Sequence, residues 1–477
     1  MSRLVIVSNR VADLRKSSQS GGLAVGVADA LKERGGLWFG WNGETLGSSA
    51  ESPTVEEIGN VRTISASMSQ QDYDEYYVGY ANSVLWPLFH YRLDLVDFQP
   101  AFFEGYCRVN ANLAAELVPY LDKDDTIWVH DYHLIPFASS LRKLGCKQRI
   151  GFFLHIPFPP PDLFSALPNH EMLVRALLEY DVIGFQTFTD LTNFRHYLQE
   201  YSAAEFLDVG RIRTSGREVL AGRFPIGIDV DSFRGLAKEA SEGIQIDMMR
   251  REILGRKQII GVDRLDYSKG LPARLESFRQ LLTQHPELEK AVTFLQIAPP
   301  TREDVNAYGE IRTELERLTG AINGGFGDFN WTPVRYIHRS VGRETLAGLF
   351  AASQVGFVTP LRDGMNLVAK EYVAAQDDAN PGVLVLSQFA GAAEEMQEAL
   401  MVNPYDVDDM AKKLFQALTM PQGERIERHK ALYARIQRHD AKAWLKSFLN
   451  ALEQTGSGTV NGSTAGIAPT RMTAPAF

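Results

Sequence analysis

Short runs of consecutive apolar residues recur along this chain, and longer polar or amphipathic intervals separate them. A strand that is buried on both faces needs apolar residues at successive positions, whereas a strand with one face in water needs alternation. The runs therefore predict strands of parallel sheets. Such runs begin at the following residues: Leu4, Thr126, Ile150, Val182, Ile259, Val292, Val334, Val355 and Val383.

Segments with apolar residues at spacings of three and four lie between these runs, as in helices with one buried face. They predict helices over residues 111–121, 272–283, 307–319 and 343–352. Strand, helix and strand in repeated succession is typical of a doubly wound α/β sheet. The chain has 477 residues, which is too long for one hydrophobic core. We therefore expect two Rossmann-like α/β domains of similar size that face an interdomain cleft.

The junction between the domains is expected at the turn-like residues 224–229, because the charged interval that follows, 233–257, contains no strand-like run. We assign residues 1–232 to the N-terminal domain and residues 233–440 to the C-terminal domain. A helix over 441–453 is expected to pack back on the N-terminal domain. Residues 454–477 are rich in Gly, Ser, Thr and Pro and lack periodicity, which predicts a disordered tail.

Composition and charge narrow the classes of partner. The formal net charge is -10 and 23% of the residues are charged, so neither a nucleic acid nor an anionic membrane is expected as a partner. No run approaches the ~20 apolar residues of a membrane span, and the first apolar run is too short for a secretory signal. Cys107 and Cys146 offer no metal-ligand spacing and no disulfide framework. We therefore expect a cytoplasmic protein.

Candidate chemistry lies at strand ends, because ligands of doubly wound sheets bind beyond the carboxyl ends of the strands. The first strand is followed by Arg10 and, after a short loop, by Gly21 and Gly22. Paired glycines let a phosphate approach backbone amides closely, but taken alone this pair is explained better by a simple turn. Tyr77 and Trp86 lie in an aromatic-rich segment on which a sugar face could rest, or which could belong to the core.

Histidines and a carboxylate follow the next two strands. His130, Asp131 and His133 end one apolar run, and His155 ends the next. Neighbouring residues of a strand point to opposite faces, which argues against a shared metal site. We predict instead that Asp131 and His155 form hydrogen bonds to sugar hydroxyls, while a structural role is the alternative for each histidine and the preferred one for His133.

Cations and a glycine turn stand at strand ends of the second half. Arg264 and Lys269 lie five residues apart in a strand-to-helix turn, where two positive charges favour a diphosphate. Arg302 is a further cation at a strand end and could clamp a phosphate monoester together with Arg10. The turn of residues 363–368, which contains Gly364, exposes amides at a helix start, and Glu371 is placed along that helix to accept from a ribose.

Several longer strings recur at these strand ends and in the segments between them: SNR at Ser8, GGL at Gly21, FGW at Phe39, DEYY at Asp74, LWPLFHYR at Leu85, WVHDYHL at Trp128, GFFLHIPFP at Gly151, DRLDYSKGLP at Asp263 and TPLRDGMNLVAKEY at Thr359. By these strings the chain resembles the trehalose-6-phosphate synthase family of retaining GT-B glycosyltransferases over about residues 3–452. The resemblance implies the GT-B fold and glucosyl transfer from a nucleotide-glucose, UDP-glucose above all, to glucose 6-phosphate.

The resemblance also implies roles for individual residues. On the acceptor side, Asp131 would bind the sugar, and the phosphate of glucose 6-phosphate would be held by Arg10, Tyr77, Trp86 and Arg302. Arg264, Lys269, His155 and Asp131 would act in catalysis. The donor site would comprise Gly21, Gly22, His155, Arg264, Lys269, Val341, Asp363, Gly364, Met365, Asn366, Leu367, Val368 and Glu371, with Val341 making a backbone contact to the nucleobase.

In this interpretation Arg264 and Lys269 stabilise the departing diphosphate, so that no metal ion and no cofactor is needed. The resemblance implies retention of configuration by front-face attack, with the main-chain carbonyl of His155 near the reacting carbon. A homo-oligomer, either a dimer or a tetramer, is compatible with it. Three alternatives stay open: a sister enzyme with another phosphorylated acceptor or with ADP- or GDP-glucose, a non-catalytic sugar-phosphate sensor, and a nicotinamide dehydrogenase, which the missing G-x-G-x-x-G after the first strand disfavours.

Overall fold

The structure is a computed structural model that describes residues 2–15, 31, 34–46, 52–208, 210–214, 216–252, 255–301 and 306–455. Within these ranges, none of the helices combines the length and the apolar character that a membrane span requires. The tail predicted over 454–477 lies outside the described residues from residue 456 onward.

The first sheet is built from the N-terminal half of the chain. Its strands run side by side in the order β3-β4-β2-β1-β5-β6-β7-β10-β9-β8. They are parallel from β4 to β10, and the pairs β3–β4, β10–β9 and β9–β8 are antiparallel. The bounds are β1 Leu4–Arg10, β2 Gly36–Leu46, β3 Thr54–Ile58, β4 Val61–Ser69, β5 Thr126–His130, β6 Arg149–Phe153, β7 Val182–Phe185, β8 Glu205–Phe206, β9 Arg211–Thr214 and β10 Arg217–Arg223.

The second sheet follows in the C-terminal half and is parallel throughout. Its order is β13-β12-β11-β14-β15-β16, which is the arrangement of a doubly wound domain with a switch point between β11 and β14. The bounds are β11 Lys257–Val262, β12 Val292–Ile297, β13 Val334–Ile337, β14 Val355–Val358, β15 Val383–Ser387 and β16 Leu400–Val402.

Helices cover both faces of the two sheets. The N-terminal ones are α1 Gln70–Asp72, α2 Trp86–Phe89, α3 Pro100–Leu117, α4 Phe137–Lys143, α5 Pro161–Phe164, α6 His170–Leu177 and α7 Phe188–Tyr201. The others are α8 Val230–Ser241, α9 Ile244–Glu252, α10 Leu271–Gln284, α11 Asn306–Phe326, α12 Arg343–Ala351, α13 Leu367–Ala375, α14 Val407–Thr419, α15 Gln422–Arg438 and α16 Ala441–Gln454. Short 3-10 turns span Leu93–Leu95, Val118–Tyr120, Tyr132–Leu134, Tyr267–Lys269, Pro286–Leu288 and Gly391–Glu394.

Every apolar run that predicted a strand forms one, and the α/β class with two Rossmann-like sheets is confirmed. The expectation of all-parallel sheets of similar size was wrong at the edges, because the first sheet has ten strands and the second six. The added strands have a different pattern: β3 is almost wholly exposed and β4 alternates between buried and exposed residues. Such edge strands carry no continuous apolar run to reveal them. The helix predicted over 111–121 also begins earlier, at Pro100.

An unusual π-helical segment, Tyr73–Leu85, joins α1 to α2. Each backbone amide of a π-helix bonds one residue further back than in an α-helix, and the amide of Trp86 accordingly donates to the carbonyl of Ala81. The side-chain amide of Asn82 donates to the carbonyl of Tyr77 at 2.8 Å. Tyr77 lies within this segment, and Trp86 directly follows its last residue.

The chain passes between the two sheets twice. The first crossing, residues 224–229, leads into α8, which packs against α12 and α13 beside the second sheet; the predicted boundary at 232/233 falls inside this helix. The second crossing precedes α16 and lies beside the first, since the amide of Ala441 donates to the carbonyl of Ile228 at 3.1 Å. Helix α16 then packs on β6 and β7, and its Phe448 stacks on Trp128 with ring centroids 4.5 Å apart.

Candidate functional site

The predicted site residues of the described ranges gather where the carboxyl ends of the two sheets face each other. Arg264 follows β11 on the C-terminal side and is exposed. Its guanidinium carbon lies 5.6 Å from the ring centroid of Trp86, which comes from the N-terminal side. A cation predicted to hold the donor thus touches an aromatic residue predicted to hold the acceptor, and the two half-sites form one cleft.

A buried ion pair forms the floor of the C-terminal side. Nζ of Lys269, in the 3-10 turn before α10, lies 2.6 Å from Oδ2 of Asp363, in the turn after β14. The side-chain amide of Asn366 donates to the same oxygen at 3.0 Å. Burial alone would raise the pKa of Asp363, but the Lys269 ammonium outweighs it, so the net pKa lies below the usual value. The Asp363 carboxyl group is therefore ionised at neutral pH.

A backbone contact joins this turn to the other domain. A Cβ atom on Gly364 would lie 2.1 Å from the carbonyl oxygen of His155, so only glycine allows the approach. The turn is also fixed from below, since the amide of Ala392 donates to the carbonyl of Met365 at 2.7 Å. The main-chain carbonyl of His155 therefore lies against the 363–366 turn of the other domain, and its position near the reacting carbon stays a prediction.

Helix α13 begins at this turn with a strong N-cap. Asn366 has a φ of 80°, and its side chain accepts from the amide of Ala369 at 3.2 Å. The first amides of a helix have no intrahelical acceptor, and they carry the positive end of the helix dipole. Those of Leu367 and Val368 therefore form an anion-binding end directly beside Lys269.

Glu371 lies half-buried one turn into α13. Burial raises the pKa of its carboxyl group to about 7, and the nearby Arg343 opposes this rise. A carboxylate that ionises near neutral pH in a cleft is a candidate ligand-binding group. It accepts a hydroxyl hydrogen most strongly when it is ionised.

Sequence reasoning missed Arg274, which supports the donor loop from beneath. It is fully buried on α10 and pairs with Asp263 at 2.7 Å. It also donates to the hydroxyl of Thr359 at 2.9 Å and to the carbonyl of Lys269 at 3.3 Å. One guanidinium therefore ties together the turns after β11 and β14. An arginine among the apolar positions of an amphipathic helix was the signal that could have revealed it.

On the N-terminal side, Arg10 ends β1 and is exposed. Its guanidinium carbon lies 5.8 Å from the ring centroid of Trp41. Gly43, with a φ of 92°, leaves the space, because a Cβ atom there would lie 2.3 Å from Nη2 of Arg10. Arg10 thus lies beside Trp41, a residue in the middle of β2 that was not among the predicted site residues.

The two predicted aromatic residues form a wall of this cleft, and they also pack as core residues do. Tyr77 is half-buried and stacks on His133 with an interplanar angle of 11°. Trp86 is buried except for 4% of its surface, and it contacts His90 with ring centroids 4.1 Å apart. His133 is buried within this stack, consistent with the structural role predicted for it.

Asp131 directly follows β5 in a strained conformation. Its φ is 77°, which is unfavourable for a residue with a side chain and is tolerated mostly at functional sites. Its carboxylate accepts from the amide of His155 at 3.2 Å. Burial lowers the pKa of His155 to about 3, so this imidazole is neutral. The predicted pair is therefore brought together at one strand edge.

The structure does not test every predicted site residue. Gly21, Gly22 and Arg302 lie outside the described residues. Val341 lies half-buried in the loop between β13 and α12 and has no contact that tests its assignment to the nucleobase. Within the described part of the chain, no three His, Cys, Asp or Glu side chains cluster as a metal site would require.

Comparisons with known proteins agree over almost the whole chain. The model of glycosyltransferase family 20 matches residues 3–454. The trehalose-6-phosphate synthase of Klebsiella pneumoniae is 50% identical over 455 residues, which are 95% of each chain. That of Citrobacter koseri is likewise 50% identical, with 95% of each chain covered.

Solved structures give the same result. The chain is similar to a UDP-forming α,α-trehalose-phosphate synthase from Burkholderia xenovorans in complex with glucose 6-phosphate, with a TM-score of 0.92, 50% identity and coverage of 95% of this chain and 100% of that one. An E. coli structure bound with UDP-2-fluoro glucose has a TM-score of 0.90 and 48% identity, with 95% and 99% covered. These matches confirm the GT-B fold. The chain belongs to glycosyltransferase family 20.

Proposed function

We propose that this chain transfers glucose from UDP-glucose to glucose 6-phosphate, with retention of configuration, and forms α,α-trehalose 6-phosphate and UDP. The contact that supports the proposal most is Arg264 against Trp86, because it brings together a cation proposed to bind the donor and a tryptophan proposed to bind the acceptor. The relatives named above as trehalose-6-phosphate synthases support the same activity.

The donor would lie along the C-terminal wall. Lys269 and Arg264 would contact the diphosphate, and the first amides of α13 would receive its remaining charge. Asp363 would accept from hydroxyls of the glucose while it holds Lys269. Glu371 would accept from the ribose and Val341 would contact the nucleobase. Gly21 and Gly22 are proposed to approach the diphosphate from the N-terminal side.

The acceptor would lie against the N-terminal wall. Arg10, with Arg302 from the other domain, would bind the phosphate of glucose 6-phosphate as a charge-assisted clamp. Tyr77 and Trp86 would border that phosphate and present apolar ring surface to the sugar. Asp131 would accept a hydrogen bond from an acceptor hydroxyl.

The reaction then needs no side chain that bonds covalently to the sugar. The anomeric hydroxyl of glucose 6-phosphate attacks C1 of the donor glucose, and the bond from C1 to the β-phosphate oxygen breaks. The hydroxyl proton moves to the departing phosphate, so charge and atoms balance. Arg264 and Lys269 stabilise the negative charge as it develops on that phosphate, while the carbonyl of His155 lies near the carbon that becomes positive.

One assay tests the proposal. Purified protein is mixed with glucose 6-phosphate or glycerol 3-phosphate and, in turn, UDP-, ADP- and GDP-glucose, with and without excess EDTA. Nucleotide release and sugar products are measured. We expect UDP and trehalose 6-phosphate. Product formed only with another acceptor, such as glycerol 3-phosphate, would favour a sister enzyme. Binding of the substrates without turnover would favour a sensor. Loss of turnover on chelation would contradict the metal-free mechanism.

Replacing Arg10 with alanine should chiefly raise the KM for glucose 6-phosphate. Loss of one charge-assisted contact is expected to raise it by about 10- to 100-fold, with the KM for UDP-glucose nearly unchanged. Steady-state kinetics with each substrate varied in turn measures this. Arg15→Ala is the matched control, because Arg15 is also exposed but pairs with Asp13. Equal effects on both substrates would contradict the acceptor assignment.

The donor KM should depend on pH through Glu371. Its pKa of about 7 means that the carboxylate is ionised above that pH and becomes protonated below it. Because the ionised form accepts from the ribose much more strongly than the protonated form, the KM for UDP-glucose should rise by up to about tenfold at one pH unit below the pKa. Glu371→Gln should raise the KM at every pH and flatten this dependence. A wild-type donor KM that is constant from pH 6 to 8 would contradict the role.

A cytoplasmic location and assembly into a dimer or tetramer stay predictions from the sequence and the resemblance. Light scattering on the purified protein measures the assembly.

A further inference from the structure

Two histidines form a hydrogen-bonded pair beyond the carboxyl ends of β5 and β6. Nδ1 of His130 lies 3.1 Å from Nε2 of His155. Burial lowers the pKa of His155 to about 3 and holds the pKa of His130 well below its usual value, so both rings are neutral. In a contact between two neutral imidazoles, one nitrogen carries the hydrogen and the other accepts it.

The surroundings of His130 decide which nitrogen carries that hydrogen. His130 is fully buried beside Trp128 and Trp444, with ring centroids 4.5 and 6.3 Å away. Among the described residues, Nε1 of both indoles and Nε2 of His130 are buried and have no hydrogen-bond partner. The indole atoms can only donate. An N–H at Nε2 of His130 would be a third buried donor without an acceptor in this cluster, whereas a bare Nε2 adds no donor.

We propose that His130 is a positioning residue that holds His155 in the tautomer protonated on Nδ1. With Nε2 of His130 bare, its hydrogen lies on Nδ1 and is donated to Nε2 of His155. The single hydrogen of the neutral His155 ring must then lie on its own Nδ1. His155 is half-buried whereas His130 is fully buried, so this N–H belongs to the member of the pair that reaches the cleft.

The ligand of this N–H is a sugar hydroxyl oxygen, and here the inference rests on the proposed function, in which the transferred glucose lies against His155. The packing that positions His155 also includes helix α16. Trp444 comes from α16 and packs against His155 as well, with ring centroids 6.1 Å apart. The docking of α16 therefore helps to fix a ring at the reacting sugar.

The tautomer itself can be tested without any substrate. Long-range proton–nitrogen correlation spectra of protein labelled with ¹⁵N at histidine distinguish a protonated from a bare ring nitrogen. The signal of His155 is assigned by its loss in His155→Asn. We expect Nδ1 of His155 to be protonated and Nε2 to be bare at pH 7. Protonation of Nε2 would overturn the inference whatever the enzyme's substrates are.

Two variants of His130 test its effect on the donor. His130→Asn keeps an N–H donor near the position of Nδ1, while His130→Phe keeps the aromatic volume without a donor. We expect the KM for UDP-glucose to rise about tenfold in the Phe variant and clearly less in the Asn variant, with the KM for glucose 6-phosphate unchanged in both. A role in packing alone predicts the opposite order, with Phe the better substitute, and that order would overturn the inference.

Failure of the proposed function would look different. Wild-type protein would then release no UDP from UDP-glucose, while the spectra would still report the tautomer of His155. Thermal unfolding of both variants shows whether they are folded when assayed.

Discussion

Replacing Arg264 with alanine is expected to lower kcat by about 100-fold or more, because one cation that meets the charge developing on the leaving diphosphate is lost. Arg264 is exposed in the cleft and lies over the ring of Trp86, so its removal leaves no buried charge without a counter-charge. The free energy of unfolding should therefore change by no more than about 0.5 kcal/mol. Steady-state kinetics and denaturant unfolding of the same preparations measure both quantities.

Two further variants control this prediction. Arg264→Lys keeps the charge but loses the planar guanidinium, so an intermediate kcat is expected. Arg175→Ala removes an exposed arginine of α6 that pairs with Glu171 of its own helix, and it should leave the kinetics unchanged. Small and equal losses in Arg264→Ala and Arg175→Ala would refute the catalytic assignment.

Replacing Lys269 with methionine is expected to reduce both turnover and stability. The Lys269 ammonium is nearly buried and lies 2.6 Å from Asp363. Its removal leaves a buried carboxylate without its counter-charge, which should cost about 3–5 kcal/mol of unfolding free energy. Loss of the second cation at the diphosphate should lower kcat by about 100- to 1000-fold. Kinetics and denaturant unfolding of the variant give both values.

A double variant separates the two effects. In Lys269→Met/Asp363→Asn both charges of the buried pair are gone, so most of the lost stability should return. Turnover should stay low, because the diphosphate still lacks the cation. Recovery of turnover together with stability would contradict a direct role for Lys269, since the loss in the single variant would then reflect unfolding alone.

The central strands were predictable because a strand that is buried on both faces appears in the sequence as a run of consecutive apolar residues. The runs at Ile259 and Val355 became β11 and β14, and their ends carry Arg264 and Asp363. Strand β3 has no such run, since most of its residues are exposed. The π-helical segment Tyr73–Leu85 was also invisible, because a shift in hydrogen-bond register produces no apolar period that differs clearly from that of an α-helix.

The site was predictable in its residue types and much less so in its contacts. Arg264 and Lys269 stood out as cations at a strand end, but the sequence did not reveal that Lys269 is paired with Asp363 from a distant turn. The positive φ of Asp131 and the burial of Arg274 depend on contacts between segments that are distant in the sequence. Such contacts leave no recognisable pattern in any one segment of the sequence.

A crystal structure of the enzyme with UDP and glucose 6-phosphate tests the central claim most directly. The account predicts that the Arg264 guanidinium and the Lys269 ammonium lie within hydrogen-bonding distance of diphosphate oxygens, with the acceptor phosphate at Arg10. If both side chains point away from the diphosphate and other groups hold it, electrostatic stabilisation by these two residues is contradicted.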